Sequence, residues 1–211
     1  MPSPTIDELT IADQPQRWQE LGFTVAHGLC RLAGVRLRLV GSHAGPGIVG
    51  WSLRDLASTE LDGLPTSRSE RPREPATRLA THANGVLAID HIVAVSPSLD
   101  RSVAALQAAG LDLRRVREQP TPAGAPRQAF FRLGAEILEL VQEPEDVAGR
   151  AGGTDRPAFF WGLALRTQEL ERTVECLGAS VGSIRPAVQP GRRIATLRRS
   201  AGLAVPVALM S

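Results

Sequence analysis

With four histidines and two cysteines in 211 residues, chemistry can start from few side chains in this sequence. His91 lies inside a run of β-formers, Val86 to Val95 (VLAIDHIVAV), and an imidazole there can take up or release a proton near neutral pH. Glu139 interrupts the otherwise apolar stretch Ile137-Leu138-Glu139-Leu140-Val141. A carboxylate facing a core needs a partner, so Glu139 serves either an ion pair with an arginine or a bound ligand. His91 divides the same way: a pocket-facing or buried imidazole with a hydrogen-bond partner, or an acid–base group. Gln189-Pro190-Gly191-Arg192-Arg193 forms a tight turn carrying two guanidinium groups. Their forks match carboxylate or phosphate oxygens; the other reading is a solvated basic hairpin, as at Arg198-Arg199. Arg127, Phe130 and Arg132 fall on a neighbouring strand, and Trp161 is either core or a ligand platform.

These residues need elements to hold them. Val86 to Val95 reads as a strand and Leu99 to Ala109 as a helix, with Ser98 as its cap and Gly110 as its stop. Strands follow at Leu111 to Arg117, Gln128 to Leu133 and Glu136 to Val141, giving the order βαβββ. The order recurs: a strand at Phe159 to Arg166, a helix at Gln168 to Leu177, and strands at Val181 to Val188, Arg193 to Arg198 and Leu203 to Met210. Strand alternation puts Ile89, His91, Val93 and Val95 on one face, and Ile137, Glu139 and Val141 on one face of theirs. A further copy is legible before residue 56. Ile6-Asp7-Glu8-Leu9 lines up with Ile89-Asp90-His91-Ile92, Arg31 to Val40 matches Arg132 to Val141 without a gap, and Gly50 to Arg54 matches Gly162 to Arg166. Gln16 to Leu21 reads as its short helix. Adjacent copies of such a unit bury a shared face.

Hydrophobic residues make up 43% and charged residues 22%, an ordinary globular balance, and the net charge is only +2. The small charge and the scarcity of aromatics argue against a nucleic-acid binder. No apolar run approaches the length of a membrane span, and the N-terminus carries no leader pattern; the expectation is a cytoplasmic protein. His27, His43 and His82 fall in expected turns and read as surface residues, and Cys30 and Cys176 as small hydrophobes. Residues 57–85, rich in proline and mixed charge, read as a linker between a degenerate unit at 1–56 and a domain at 86–211 made of units 86–143 and 158–211. No Ser-His-Asp pattern or phosphate-cradling glycine loop is present.

A tandem βαβββ unit opened by Ile89-Asp90-His91-Ile92 and closed by Glu136 to Val141 resembles the vicinal oxygen chelate superfamily: glyoxalases, ring-cleaving dioxygenases, and bleomycin or fosfomycin resistance proteins. The resemblance implies an α+β fold whose two units make one cupped, mostly antiparallel sheet. It also implies metal ligands on the first and last strand of each unit, at positions His91 and Glu139 match. The other two positions lack donors: Gly162 stands at the position matching His91 in the last unit, and Leu203 to Met210 holds no carboxylate or imidazole. Glu8 and Arg38 stand at these positions in the N-terminal copy. Two functions follow. In one, the cup binds a small, anionic metabolite without a complete metal site, with His91 and Glu139 as an acid–base pair and Phe130, Arg132, Trp161, Arg192 and Arg193 contacting the ligand. In the other, the chain is a metal-dependent lyase, isomerase or dioxygenase using His91 and Glu139 as partial ligands of a divalent ion, completed by Glu8, water or a second copy in a homodimer.

Overall fold

The computed structural model describes residues 3–73, 81–121 and 124–211. Pro75 and Pro122 of the expected loops lie outside the described residues. Two sheets are present. The first has β1 (Thr5–Ile11), α1 (Pro15–Glu20), β2 (Val25–Ala26), β3 (Leu29–Leu32), β4 (Val35–Leu39), β5 (Ile48–Arg54) and β6 (Thr66–Arg68), in the order β2-β3-β4-β1-β5-β6. The second has β7 (Val86–Ser96), α2 (Leu99–Ala108), β8 (Asp112–Arg117), β9 (Gln128–Leu133), β10 (Glu136–Gln142), α3 (Glu145–Arg150), β11 (Phe159–Thr167), α4 (Leu170–Leu177), β12 (Arg185–Pro186), β13 (Arg193–Thr196) and β14 (Val207–Met210). Its order is β12-β13-β14-β11-β7-β10-β9-β8. Residues 86–211 therefore form one eight-stranded sheet of two βαβββ units, as the sequence pattern requires.

Alternation in the central strands makes the cup. Ile92, Ala94 and Ser96 of β7, Leu138 and Leu140 of β10, and Ala129, Phe131 and Leu133 of β9 are buried on one face. The residues between them, including His91, Val93, Val95, Ile137, Glu139 and Val141, are half-buried on the other face. Helix α2 buries Leu99, Ser102 and Leu106. Ser98 stands at its N-cap without a side-chain cap bond; the Ser98 amide instead donates to the Ser96 hydroxyl at 3.0 Å. The strand expected at Val181 to Val188 shrinks to Arg185–Pro186 plus a lone bridge from Val181 to Leu197. Pro186 has no amide proton for a ladder, which confines this stretch to the sheet edge.

The first sheet repeats the second in register. Glu8 of β1 lies opposite Arg36 of parallel β4 as His91 lies opposite Ile137, and opposite Ser52 of antiparallel β5 as His91 lies opposite Ala164. β6 runs parallel to β5 as β14 runs parallel to β11. β5 and β6 are thus what stands in the first sheet for the whole last unit, and β6 falls inside the stretch expected as a linker. The two sheets share one buried core, where Trp51 meets Phe160 edge-on at 5.0 Å.

Two expectations about side chains fail here. His82 is buried, not on the surface: its Nδ1 accepts the Thr24 amide at 3.0 Å and its Nε2 lies 2.9 Å from the Arg31 carbonyl. Burial pushes its pKa down, so the ring is neutral with its proton on Nε2. Cys30 is buried as a small hydrophobe, but Cys176 is exposed.

Candidate functional site

An extra residue in β7 builds the site. Its pairing with β11 runs Ile89 to Leu165 and then His91 to Ala164, leaving Asp90 without an opposite residue. Such a bulge resets the alternation. Ile89 turns into the core, 3% exposed, and does not share the face of His91 as simple alternation would have it. Asp90 and His91 are side by side, both half-buried.

His91 is held at both ring nitrogens. Nδ1 lies 2.9 Å from Asp90 Oδ1 and Nε2 lies 3.3 Å from Glu139 Oε2. Arg192 grips Asp90 with both arms of its fork, at 3.1 and 2.6 Å. The Gln128 amide donates to the other oxygen of Glu139. One polar chain therefore runs Arg192–Asp90–His91–Glu139–Gln128 across the cup. Burial alone would push the Asp90 carboxyl up, but the hydrogen bonds and charges of His91 and Arg192 outweigh it and hold Asp90 well below the usual carboxylate range. Burial is also the main influence on Glu139, and there it wins: the Glu139 pKa is raised despite the opposing effects of His91, Gln128 and Arg117. An ionised Asp90 accepts the Nδ1 proton of His91, which leaves Nε2 facing Glu139 Oε2 at 3.3 Å. That arrangement can deliver or accept a proton at one place.

Not every expected residue joins the site. Phe130 is directly opposite Glu139, with Arg115 laid over its ring at 5.7 Å. Arg132 is opposite Ile137 but is exposed and turns toward the Gly134 carbonyl at 3.4 Å. Arg127 pairs with Glu118 and Asp100 at the surface. Arg193 opens β13, leaves the cup altogether and pairs with Glu171 of α4, whereas Arg192 belongs to the turn before the strand. Trp161 falls at a second bulge, between the pairs Phe160–Ala94 and Gly162–Val93, and is 54% exposed. Asp90, Gln128 and Arg117 escaped the sequence reading as site residues. Their common signal was the strand pairing, which no residue type announces. Two clefts, of about 410 Å³ beside His82 and Cys176 and about 620 Å³ beside Arg54 and Arg73, lie away from this chain of contacts.

The first sheet carries the same positions with other chemistry. Glu8 and Arg38 stand where His91 and Glu139 do, joined at 2.7 and 2.9 Å. Asp7, the counterpart of Asp90, is also the bulge residue, 3% exposed, and holds Arg36, Arg54 and Ser69. Glu8 is thus engaged by arginines in its own sheet.

No family model and no curated protein matches this sequence. Solved structures do. Methylmalonyl-CoA epimerase from Mycobacterium tuberculosis superposes on 64% of this chain and 94% of its own length, with a TM-score of 0.51 and 18% identity. A xylose isomerase-like TIM barrel/4-hydroxyphenylpyruvate dioxygenase fusion protein superposes on 98% of this chain, with a TM-score of 0.63 and 13% identity. The chain has the vicinal oxygen chelate fold. It spans 48% of the fusion protein's length, and both sheets take part in that match.

The vicinal oxygen chelate fold implies a divalent ion in the cup, and the residues here do not fit one. His91 and Glu139 could approach a common ion, but the pseudo-symmetric positions are Gly162 and Ala208. A Cβ at Gly162 would come 2.8 Å from the Pro206 carbonyl oxygen, so backbone occupies the place of a third ligand. Ala208, opposite Ala164, offers no donor. The first sheet repeats the closure, with a Gly50 Cβ 3.2 Å from the Pro65 carbonyl oxygen. Two donors, each with a protein partner, leave most of a divalent coordination sphere unfilled.

Proposed function

We propose that this chain binds a small metabolite in the cup of its second sheet and moves a proton on it with the His91–Glu139 pair, without a resident metal ion. The observation that carries the reading is His91 Nε2 at 3.3 Å from Glu139 Oε2, with Gly162 closed by Pro206 where a third ligand would stand. Asp90 fixes the tautomer of His91 and Arg192 fixes Asp90; these two are positioning residues. Glu139, whose pKa burial raises, is the carboxyl that faces the free side of the imidazole. The first sheet, its equivalent positions filled by ion pairs, is a structural partner of the site.

The test uses the full chain. Metabolite pools are screened for compounds that raise the melting temperature, since binding to the folded state alone must stabilise it. Each hit is then incubated with the protein in D2O with a chelator, and C–H exchange is followed by NMR. Exchange that survives the chelator and disappears in His91→Gln is the expected result. Exchange abolished by the chelator and restored by added zinc, iron or manganese would show the metal-dependent reading to be right.

A further inference from the structure

The arginines that the sequence offered for an anionic ligand are engaged elsewhere: Arg192 with Asp90 and Arg193 with Glu171. Arg132 is exposed and turns to the Gly134 carbonyl, and two further guanidinium groups stand on the cup face. Arg117 of β8 lies directly opposite Gln128, and Arg115 directly opposite Phe130. Gln128 and Phe130 are in turn the neighbours of Glu139, one through its side-chain amide and one across the ladder. Directly opposed residues share a face, so both arginines stand on the His91 side of the sheet. Among the described residues neither has a carboxylate within ion-pairing distance, and Arg117 acts on Glu139 only through its charge. Beside them Gln128 is 7% exposed, and among the described residues its Oε1 is buried without a hydrogen-bond partner. Buried polar atoms are nearly always satisfied, so a ligand group donating a hydrogen bond there removes a standing cost. On the other side of Glu139 the cup face is apolar, with Val93, Val95 and Val141 half-buried and Phe159 exposed opposite Val95.

We infer that the ligand is a small organic oxyanion with an apolar, ring-sized body: Arg115 and Arg117 take its carboxylate or phosphate, and the valine and Phe159 wall takes the body. The inference rests on the cup being the ligand site and names the class of molecule that site takes. Two guanidinium forks one strand-step apart select an oxyanion over its neutral isostere, because a charged acceptor makes about twice as strong a hydrogen bond as a neutral one. Val93, Val95 and Phe159 carry the apolar end away from the arginines, and the middle of the molecule then lies over Glu139, the carboxyl that faces His91.

Phenylacetate, phenyl phosphate and phenylacetamide serve as probes, with affinity read by protein-observed NMR titration of the full chain. One or both anions should bind about tenfold more tightly than the amide, and whichever of the two binds better names the oxyanion. Arg117→Gln should remove that preference, Arg117→Lys should keep part of it, and Arg193→Gln should leave it unchanged. Equal binding of anion and amide, or no binding of any probe, overturns the inference. So does a preference that Arg117→Gln leaves intact; if such binding still perturbs the His91 ring, the cup remains the ligand site and only the oxyanion class fails. Anion binding that depends on Arg117 and leaves the His91 ring resonances unmoved supports the class and counts against proton transfer at His91.

Discussion

Gly162→Ala tests whether the third ligand position is closed by backbone. Replacing a strand glycine by alanine normally stabilises by about 0.4–1 kcal/mol where the conformation allows it, because the unfolded chain loses freedom. Gly162 is not among the glycines with positive φ, so the backbone itself permits alanine. The added Cβ would however stand 2.8 Å from the Pro206 oxygen, an atom held in the sheet by the Leu163 amide at 2.9 Å. Overpacking of this kind costs about 1–3 kcal/mol, so the steric term wins and the net change is a loss of up to about 2 kcal/mol. For a chain of this size that lowers the melting temperature by up to about 8 °C. Gly50→Ala, whose Cβ would lie 3.2 Å from the Pro65 oxygen, should change stability by less than about 0.5 kcal/mol, since the two terms nearly cancel. Thermal unfolding followed by circular dichroism distinguishes the two variants. A Gly162→Ala protein as stable as the parent, or more stable, would refute the reasoning, for the position would then have room for a ligand side chain.

Asp7→Ala strips the shared partner from two buried guanidinium groups and should cost about 3–5 kcal/mol, whereas Asp90→Ala, in the same bulge of the other sheet but half-buried, should cost no more than about 2 kcal/mol; equal losses in chemical denaturation would contradict the division into structural and functional copies. Because Glu139 holds its proton more tightly folded than unfolded, stability falls as pH rises through its raised pKa and the penalty is complete above it. Glu139→Gln should therefore melt higher than the parent at about pH 8 and lose that advantage by about pH 4, where both forms of the parent are protonated. The Cys30 thiol is buried and pushed up to about 12, so alkylation of the native chain should label Cys176 alone, by peptide mass mapping; rapid labelling of Cys30 would mean that the first sheet opens readily.

The fold was legible because its signals are periodic. The buried residues of β7, β9 and β10 alternate, Gly110 and Gly178 follow their helices, and the match of Arg31–Val40 to Arg132–Val141 reports a real equivalence of register between the sheets. The site was half legible. His91 and Glu139 stand out by type against apolar strands, and their meeting follows from parallel pairing of β7 and β10. What sequence could not carry is the bulge: a strand with one extra residue looks the same in text, so simple alternation puts Ile89 on the face of His91 and gives Asp90 no part in the site. The arginines show the same limit. Arg192 and Arg193 are adjacent and chemically alike, and only where the turn ends and β13 begins separates the one that reaches Asp90 from the one that reaches α4. β6, three residues long in a proline-rich stretch, had no pattern of its own and is held by pairing with β5.

The most direct test of a metal-free proton site is the ring of His91 itself. Nitrogen-15 NMR of histidine-labelled full-length protein, assigned with His91→Gln, reads the state of Nδ1 and Nε2 separately. The account predicts a protonated Nδ1 facing Asp90, an Nε2 signal that shifts in Glu139→Gln, and no change in either nitrogen when zinc, iron(II) or manganese is added at one equivalent. Stoichiometric metal binding that moves the Nε2 resonance into the coordinated range, and that is lost in His91→Gln, would contradict it.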